Sequence, residues 1–391
     1  MSFFNYLSQK KCTYLVFWEK ETIFNNIDVC VIGSGIVGLN AAINLKLIAP
    51  KLNVVVIDRG FIPYGASTRN AGFACFGSMT ELIDDLSKES EEAVFKRIEL
   101  RWHGLQKLRN LLGDVSLDYE PLGGYEVFST SDTAAFEIGV AKMEYFNRML
   151  KPLTGTSNTY SNADEKINEF GFNNVNHMVL NQCEGQINTG KMMEALVNLA
   201  HKTGVKIING LSISAVHNSE KNTLINCEDG FSFKSKRTLI ANNGFAAALL
   251  PEIAVVPARA QVLITEPIPN LKIKGSFHFE KGYYYFRNVG NRVLLGGGRN
   301  LDFKGETTAE FGTTTIIQNK LEALLNEMIL PDAKYTIEMR WSGIMGVGES
   351  KSTIVRQVEG NLYCAVRMGG MGVAIGSLIG EMGAKMILES L

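Results

Sequence analysis

Apolar residues recur at two different periods along this chain, and the change of period predicts its elements. Residues 29–32 and 54–57 are uninterrupted apolar runs, and the segment between them carries small and apolar residues at helical spacing. Short uninterrupted runs are typical of parallel strands buried on both faces, and the segment between them is long enough for a crossover helix. Residues 28–60 therefore predict a β-α-β unit.

Later parts of the chain show the same two periods. The pattern predicts a long amphipathic helix over 81–112, a helix near 132–150, and a return to α/β periodicity at Ile187. Alternating runs over 258–337 predict antiparallel strands with a helix over 314–328. We expect an α/β fold, α+β overall, in which a Rossmann-type dinucleotide domain is interrupted by an inserted antiparallel-sheet substrate domain.

Changes of character along the chain predict the domain boundaries. At 391 residues the chain exceeds the size at which a single core keeps growing. Residues 1–26 form an N-terminal arm, in which a membrane-surface or subunit contact and a cover over a groove of its own domain both stay open. The arm's large apolar residues are Phe3, Phe4, Tyr6, Leu7, Tyr14, Leu15, Phe17 and Trp18. We expect the dinucleotide domain at 27–113, 183–250 and 338–391, and the substrate domain at 114–182 and 251–337.

Glycines stand at the first turn of the β-α-β unit. Gly33, Gly35 and Gly38 have the spacing that a tight turn, a close phosphate approach and close helix packing require. The helix that follows presents free backbone N–H groups and the positive end of its dipole to a pyrophosphate. Asp58 ends the second strand twenty residues after Gly38, where a carboxylate accepts hydrogen bonds from a ribose diol. The unit is therefore interpreted as a binding site for an ADP moiety.

Composition and charge narrow the class of protein. Hydrophobic residues make up 46% of the chain and charged residues 20%, as in an ordinary globular protein. With 39 basic and 40 acidic side chains the net charge is −1, so we expect no nucleic-acid partner. The six cysteines show no zinc spacing and the five histidines no paired spacing, so we expect no metal and no structural disulfide.

Neither end of the chain predicts a targeting or membrane segment. Charged residues interrupt every hydrophobic stretch of the first 26 residues, unlike a secretory signal. The apolar run over 368–388 contains Glu381 and Lys385, and it fits a packed internal helix better than a membrane span. We therefore expect a cytoplasmic protein without membrane contact.

Further motifs follow one another in a characteristic order: GASTRNAGF, EGQINTGKMMEAL, LIANNGFAA, VPARAQVL and MGGMGVAIGSLIGEMGA. Together with VIGSGIVGLNAA and the Asp58-Arg59 pair, they make the chain from about residue 26 resemble the D-amino-acid oxidase family of FAD enzymes. That family includes glycine oxidase, sarcosine oxidase and γ-glutamylputrescine oxidase. The resemblance implies FAD, and the second glycine-rich helix start at 369–372 agrees, because an NAD domain does not need one.

The resemblance also assigns cofactor positions. The amides that open the last helix would face the flavin's pyrimidine carbonyl, where the helix dipole stabilises the negative charge of the reduced ring. No cysteine stands in the segment after Gly343, where sarcosine oxidase links its flavin, so FAD is expected to be noncovalent. The expected cofactor-binding residues are Gly33, Ser34, Gly35, Ile36, Gly38, Asp58, Arg59, Ala66, Ser67, Thr68, Asn70, Ala71, Gly72, Phe73, Ile213, Asn243, Gly244, Gly343, Gly370, Met371, Gly372 and Val373.

At the substrate clamp the chain departs from the family. In D-amino-acid oxidase and glycine oxidase an arginine follows the position of Trp341-Ser342-Gly343, whereas the aligned residue here is Met345. A thioether cannot make the bidentate bonds that an arginine gives a carboxylate. Strand alternation puts Tyr283, Tyr285 and Arg287 on one face, which either lines the substrate pocket or makes cross-strand pairs on a solvated face. The candidates for substrate binding and catalysis are Tyr283, Tyr285, Arg287, Arg299, Arg340 and Met345.

The resemblance implies oxidation of a C–N bond in an amino acid, an N-substituted amino acid or an amine, with hydride transfer to flavin N5. Oxygen or a quinone would accept the electrons. Because the cofactor carries the chemistry, the protein mainly positions a small-molecule substrate and excludes water. Oxidation of a 2-hydroxy acid or another C–O substrate stays open, as do an NAD-dependent dehydrogenase and a flavin-binding protein without turnover.

Overall fold

Two large sheets organise the computed structural model, which describes residues 15–391. The expectation for the aromatic arm falls mostly on residues 1–14, outside the described residues. In chain order the strands are β1 (Ile27–Ile32), β2 (Val54–Ile57), β3 (Phe73–Ala74), β4 (Gly124–Phe128), β5 (Tyr160–Asn162), β6 (His177–Asn181), β7 (Gly185–Gln186), β8 (Lys206–Ile208), β9 (Ile213–Asn218), β10 (Thr223–Cys227), β11 (Ser232–Ile240), β12 (Val256–Thr265), β13 (Ser276–Phe279), β14 (Tyr284–Val289), β15 (Arg292–Gly297), β16 (Ile337–Val347), β17 (Ile354–Glu359) and β18 (Leu362–Val366).

The helices agree with the apolar pattern except at one break. The helix that we predicted over 81–112 is two helices, because the Ser90 hydroxyl accepts a hydrogen bond from the Ala93 N–H (3.3 Å) and caps a new start. In chain order the α-helices are α1 (Phe17–Glu19), α2 (Ile36–Ile48), α3 (Ala66–Arg69), α4 (Met79–Leu86), α5 (Glu91–Leu112), α6 (Asp114–Leu117), α7 (Thr133–Thr154), α8 (Lys166–Phe170), α9 (Thr189–Lys202), α10 (Thr315–Leu324) and α11 (Gly372–Leu388). Shorter 3₁₀ segments cover Thr130–Asp132, Asn243–Ala248 and Arg299–Leu301, and π-helical segments cover Lys20–Phe24 and Leu325–Ile329.

The first sheet is the predicted dinucleotide-binding sheet. Strands β18, β11, β1, β2 and β8 lie side by side in that order and run parallel, and β17 joins the β18 edge antiparallel. Helices α2, α5, α9 and α11 pack their apolar residues on one face. The close approach of α2 and α11 needs Gly380, where a Cβ would lie 2.6 Å from the Val37 carbonyl oxygen. The buried apolar runs of β1 and β2 are thus explained by cover on both faces.

The second sheet is the predicted inserted sheet, with the order β16-β12-β15-β14-β13-β4-β6-β5. Its pairs are antiparallel except for β4 with β13, which run parallel and join the two inserted segments. Stacked phenylalanines, with the Phe277 and Phe286 ring centroids 4.7 Å apart, form part of its core. Strand β16 pairs with β12 in this sheet, although we predicted that residues 338–391 belong to the dinucleotide domain.

The last helix is internal to the first domain. Glu381 of α11 forms ion pairs with Lys107 of α5 (3.1 Å) and with Lys385 (3.3 Å), which satisfies the charges that interrupt its apolar pattern. Within residues 15–391 we find no helix with the length and apolar character that a membrane crossing requires.

Candidate active site

One cavity of about 1220 Å³ lies between the two sheets. Its wall combines the carboxyl end of β1 and β2, parts of the segment 64–73 around α3, the start of α11, and strands β12, β14 and β16 of the second sheet. The volume exceeds the usual range for a single drug-sized ligand, so it accommodates a large cofactor together with a substrate. Most of the residues that we expected to bind a cofactor meet at this cavity.

The phosphate turn has the geometry that its glycines predict. Gly33 has φ +111° and a Cβ there would lie 2.8 Å from the Ala241 carbonyl oxygen, so only glycine fits without strain. A Cβ on Gly38 would collide with the Gly33 carbonyl, which explains how closely α2 approaches the turn. Gly35 lies at the N-cap of α2 and faces the cavity, and the Ser67 hydroxyl accepts a hydrogen bond from the Ile36 N–H (2.9 Å). The turn is therefore open toward the cavity, and the Ser67 hydroxyl in the cavity wall holds the start of α2.

Another part of the cavity wall carries the groups that we expected near the adenosine half of FAD. Asp58, Arg59 and Ile213 line it, and the Arg59 guanidinium lies 3.9 Å from the Phe245 ring centroid. Asn243 also lines the cavity, and its Oδ1 accepts hydrogen bonds from the Arg367 and Met368 N–H groups (both 3.1 Å). These contacts hold the end of β11 against the segment that leads into α11.

The segment 66–73, which runs from α3 into β3, is held by hydrogen bonds of its own side chains. The Asn70 Oδ1 accepts hydrogen bonds from the Gly72 N–H (2.8 Å) and the Thr189 hydroxyl (3.0 Å). The Thr68 hydroxyl donates to the Pro63 carbonyl (2.9 Å) and so points away from the cavity. The expected cofactor residues that lie behind the cavity wall, where they shape the backbone, are Ser34, Gly38, Thr68, Gly72 and Gly244. The expected cofactor residues of this segment that line the cavity are Ala66, Ser67, Asn70, Ala71 and Phe73.

The start of α11 presents free amides to the cavity. Gly370 has φ +86°, and Gly370, Met371, Gly372 and Val373 all line the wall. Within the described residues, the N–H groups of Gly372 and Val373 have no backbone acceptor, as the first turn of a helix requires. Gly343 lies opposite, beside the start of α3. Free N–H groups at a helix start are donors suited to an anionic or carbonyl oxygen of a ligand.

The structure separates the candidate substrate residues into two groups. Tyr283, Tyr285, Arg299 and Met345 line the cavity. Arg287 does not, although it shares a strand face with Tyr285. Its Nη1 donates to the carbonyls of Gly72 and Ile187 (both 2.8 Å), and its Nε donates to the Asn288 carbonyl (3.1 Å).

Arg287, one of our candidates for the missing clamp, does not line the cavity, because its buried guanidinium holds backbone carbonyls. Burial lowers the pKa of Arg287 to about 10. Arg340 is another of these candidates. It lies away from the cavity, where its guanidinium donates to Gln318 Oε1 (2.6 Å) and Glu322 Oε1 (2.7 Å).

Arg299 is the one of our three candidate arginines that lines the cavity. It follows Gly298, whose φ of +79° turns the chain at the end of β15. Its guanidinium lies 5.0 Å from the Phe303 ring centroid, and its buried Nε has no hydrogen-bond partner among the described residues. Burial lowers the pKa of Arg299 from its ordinary value. A cation in this state gains from an anionic ligand.

Sequence reasoning missed several residues of the cavity wall. His278 on β13 contacts Phe73 with ring centroids 5.2 Å apart, and the Arg101 guanidinium forms an ion pair with Glu81 (3.2 Å). Cys75 also lines the cavity, and burial raises the pKa of its thiol well above its ordinary value. No local motif marks these residues. The alternation of His278 with Phe277 and Phe279 along β13 was the available signal.

The residues present fit a dinucleotide cofactor. The cavity joins the phosphate turn to the amides of α11, and Asn242 in its wall has a buried Oδ1 without a partner among residues 15–391. The described cysteines are all free thiols. Within the same residues no cluster of three or more His, Cys, Asp or Glu side chains is placed to hold a metal ion.

Comparison with known proteins agrees with this geometry. The family model described as "FAD dependent oxidoreductase" (DAO) matches residues 28–386. The probable oxidoreductase OrdL of Rhizobium meliloti (strain 1021) is 24% identical over 378 residues, which cover 92% of this chain and 83% of the relative. The gamma-glutamylputrescine oxidoreductase of Escherichia coli (strain K12) is 23% identical over 378 residues, which cover 92% of this chain and 83% of the relative.

Solved structures share the fold. Glycine oxidase from Bacillus cereus ATCC 14579 superposes with a TM-score of 0.74 at 15% identity, over 94% of this chain and 96% of that chain. L-proline dehydrogenase from P. horikoshii superposes with a TM-score of 0.73 at 17% identity, over 93% of this chain and 94% of that chain. With the family model matched over nearly the whole chain, this protein belongs to the DAO family of FAD-dependent oxidoreductases and is an enzyme with FAD as its cofactor.

Proposed function

We propose that this enzyme oxidises the C–N bond of an amino acid, an N-substituted amino acid or an amine that also carries an anionic group, and that Arg299 binds that group. The observation that carries the proposal is the Arg299 guanidinium, which reaches the cavity with its Nε unpartnered within the described residues. Relatives named for gamma-glutamylputrescine, glycine and L-proline support a nitrogen-containing substrate.

Each part of the cavity wall has a role in this proposal. FAD, when bound, would supply the two-electron oxidation by taking a hydride at N5 from the carbon next to nitrogen. Arg299 would orient the substrate through its anionic end, and Phe73 and Tyr285 would exclude water from the reacting carbon. Met345, which replaces the family arginine, would leave an apolar surface where that clamp otherwise lies. The substrate's anionic group is thus expected on the Arg299 side.

An anaerobic substrate panel tests this proposal. Glycine, sarcosine, L-proline, gamma-glutamylputrescine and lactate are mixed with the holoenzyme, and loss of flavin absorbance is recorded. We expect bleaching by at least one nitrogen compound and none by lactate. Bleaching by lactate alone would move the function to C–O oxidation. Mixing the bleached enzyme with oxygen or with a soluble quinone then identifies the electron acceptor by the return of absorbance.

Variants at Arg299 test the anchor. Arg299→Gln removes the charge but keeps a polar side chain, and the loss of a charged hydrogen bond of ~1.5–3 kcal/mol should raise the apparent substrate dissociation constant roughly tenfold or more. Arg340→Gln is the matched control, because Arg340 lies outside the cavity. An unchanged dissociation constant in Arg299→Gln would eliminate this residue as the anchor.

A further inference from the structure

A second, much smaller cavity of about 10 Å³ lies behind the first. Its wall includes Glu184 and Asn181 near the end of β6, and His278 on β13. His278 also lines the large cavity, so its imidazole is common to both. Within residues 15–391, His278 Nε2 and Asn181 Nδ2 are buried without a hydrogen-bond partner. Two unpartnered polar atoms at one small cavity indicate a site for a polar ligand.

Glu184 supplies a third polar group to this cavity. The side chain is 1% exposed, and its Oε1 accepts hydrogen bonds from the N–H groups of Phe76 (2.9 Å) and Gly77 (3.1 Å). Its Oε2 lies 3.9 Å from His278 Nε2, too far for a direct hydrogen bond. Gly124 leaves the room for this oxygen, since a Cβ there would collide with Oε2. No Lys or Arg among the described residues forms an ion pair with Glu184.

The protonation states suit an exchange of protons between these groups. Burial raises the pKa of Glu184 to about 8, so its carboxylate can accept a proton above that pH. Burial also lowers the pKa of His278 to about 4, so its imidazole is neutral near pH 7 and has one donor and one acceptor nitrogen. A neutral imidazole can take a proton on one nitrogen and release one from the other.

We propose that one water molecule in the small cavity joins Glu184 Oε2, His278 Nε2 and Asn181 Nδ2, and that this unit receives the proton that an ammonium substrate loses before it is oxidised. The proposal rests on the proposed function, because it requires an amine in the large cavity. A cavity of this size holds about one water, and three polar partners are the usual number for a buried water. We call Glu184, the water and His278 the relay.

Atoms and electrons balance through FAD as the oxidant. The substrate enters as R₂CH–NH₃⁺, and an N–H bond breaks as its proton passes through His278 and the water to the Glu184 carboxylate. The C–H bond of the neutral amine then breaks, and its hydrogen and electron pair pass to FAD. The product is R₂C=NH₂⁺. One proton therefore stays on Glu184 for each substrate oxidised.

Neighbouring ionisable groups do not replace Glu184. Glu126 on β4 faces the same small cavity, but its carboxylate accepts hydrogen bonds from Thr80. Glu81 is held by Arg101 and Lys351, and the Tyr160 hydroxyl donates to the Gly77 carbonyl (2.7 Å). Burial raises the pKa of the phenols and thiols around Glu184 and His278, so these groups stay protonated and neutral. These phenols and thiols are Tyr119, Tyr160, Tyr285, Cys75 and Cys183.

Proton release measured during flavin bleaching tests the relay. The holoenzyme is mixed anaerobically with the fastest amine of the panel, about one pH unit above the pKa of Glu184, in weak buffer with a pH-indicator dye. In the wild type we expect the proton to reach bulk solution only after the flavin has bleached. In Glu184→Gln we expect bleaching to slow by roughly 10²-fold, with proton release coincident with it. Glu322→Gln, which removes a carboxylate that binds Arg340 outside both cavities, is the control and should behave as the wild type.

Two further measurements keep the test decisive. If Glu184→Gln does not fold, His278→Asn interrupts the relay from the large cavity and should give the same two effects. A crystal structure of the holoenzyme should show a water within hydrogen-bond distance of Glu184 Oε2 and His278 Nε2, and a dry cavity would overturn the proposal. If no amine bleaches the flavin, the proposed function fails as well. If an amine bleaches it and proton release coincides with bleaching in every protein, the relay alone fails.

Discussion

The Asp58 carboxylate joins the ends of the first two strands by accepting two hydrogen bonds from Ser34, one from its N–H (2.9 Å) and one from its hydroxyl (2.7 Å), both at Oδ2. The other oxygen, Oδ1, accepts from the Gly60 N–H (2.9 Å). One side chain therefore shapes the phosphate turn and also faces the cavity where the ribose is expected. This double role makes Asp58 the most informative position for testing cofactor binding.

Replacing Asp58 with Ala should weaken FAD binding at least tenfold, because hydrogen bonds to a charged group are worth ~1.5–3 kcal/mol each. Ser34→Ala is the matched variant, since it removes only the hydroxyl bond to the same carboxylate and should have a smaller effect. Titration of the apoprotein with FAD, followed by flavin fluorescence, measures both dissociation constants. Equal affinities in Asp58→Ala and the wild type would remove this residue from the site.

FAD should dissociate from the denatured chain. Cys75 is the cysteine that lines the cavity among the described residues, and burial keeps its thiol protonated and therefore a poor nucleophile. After acid precipitation we expect the yellow colour in the supernatant. Flavin that stays in the pellet would contradict a noncovalent cofactor, and loss of that flavin in Cys75→Ala would identify the link.

Placing a proline at Val373 should lower the flavin reduction potential. The substitution removes one of the free N–H groups at the start of α11, and a helix terminus contributes about 0.3–1 kcal/mol to a nearby charge, up to ~2 kcal/mol when partly buried. Redox titration of the FAD-loaded protein measures the change, with Val373→Ala as the control that keeps the N–H. The same potential in both variants, at full FAD occupancy, would argue against this role.

Arg287→Met should destabilise the protein and not simply weaken substrate binding. The substitution removes a buried donor from the carbonyls of Gly72, Ile187 and Asn288, of which Gly72 keeps a hydrogen bond from the Ile187 N–H (2.9 Å). Each buried group left unpaired costs ~1–3 kcal/mol. Because Gly72 lies in the segment between α3 and β3, beside the cavity wall, FAD occupancy should also fall. Urea unfolding gives the free energy of unfolding, and flavin content is read from the spectrum. Normal stability with a raised substrate dissociation constant would return Arg287 to the candidate anchors.

Glu184→Gln should change how stability depends on pH. The folded-state pKa of Glu184 is raised from 4.5 to about 8, so the protonated form is favoured by folding. Its stabilisation is present below pH 4.5 and is lost as the pH rises to about 8, by up to ~1.4 kcal/mol per pH unit. The unfolding free energy of Glu184→Gln minus that of the wild type should therefore increase with pH over this window. A difference that stays constant would show that Glu184 has an ordinary pKa in the folded protein.

Short-range features of the cofactor site were predictable from the sequence. The turn at Gly33 and the acid at Asp58 belong to one β-α-β unit, in which strand, helix and turn are specified by residues near one another in the chain. The free amides at Gly372 and Val373 follow from a glycine turn before an apolar helix. The break between α4 and α5 was also local, but the Ser90 cap was overlooked within an amphipathic pattern.

Only the tertiary structure decided which distant groups share a cavity. Tyr285 and Arg287 have the same strand parity, yet Tyr285 lines the cavity whereas Arg287 binds the backbone of Gly72, which lies 215 residues earlier in the chain. His278 and Glu184 meet through pairing of strands far apart in sequence, and their burial sets pKa values that no local pattern carries. Local sequence determined the backbone conformations. Contacts between distant segments determined which side chains are buried, which groups they hydrogen-bond and which protonation states they adopt.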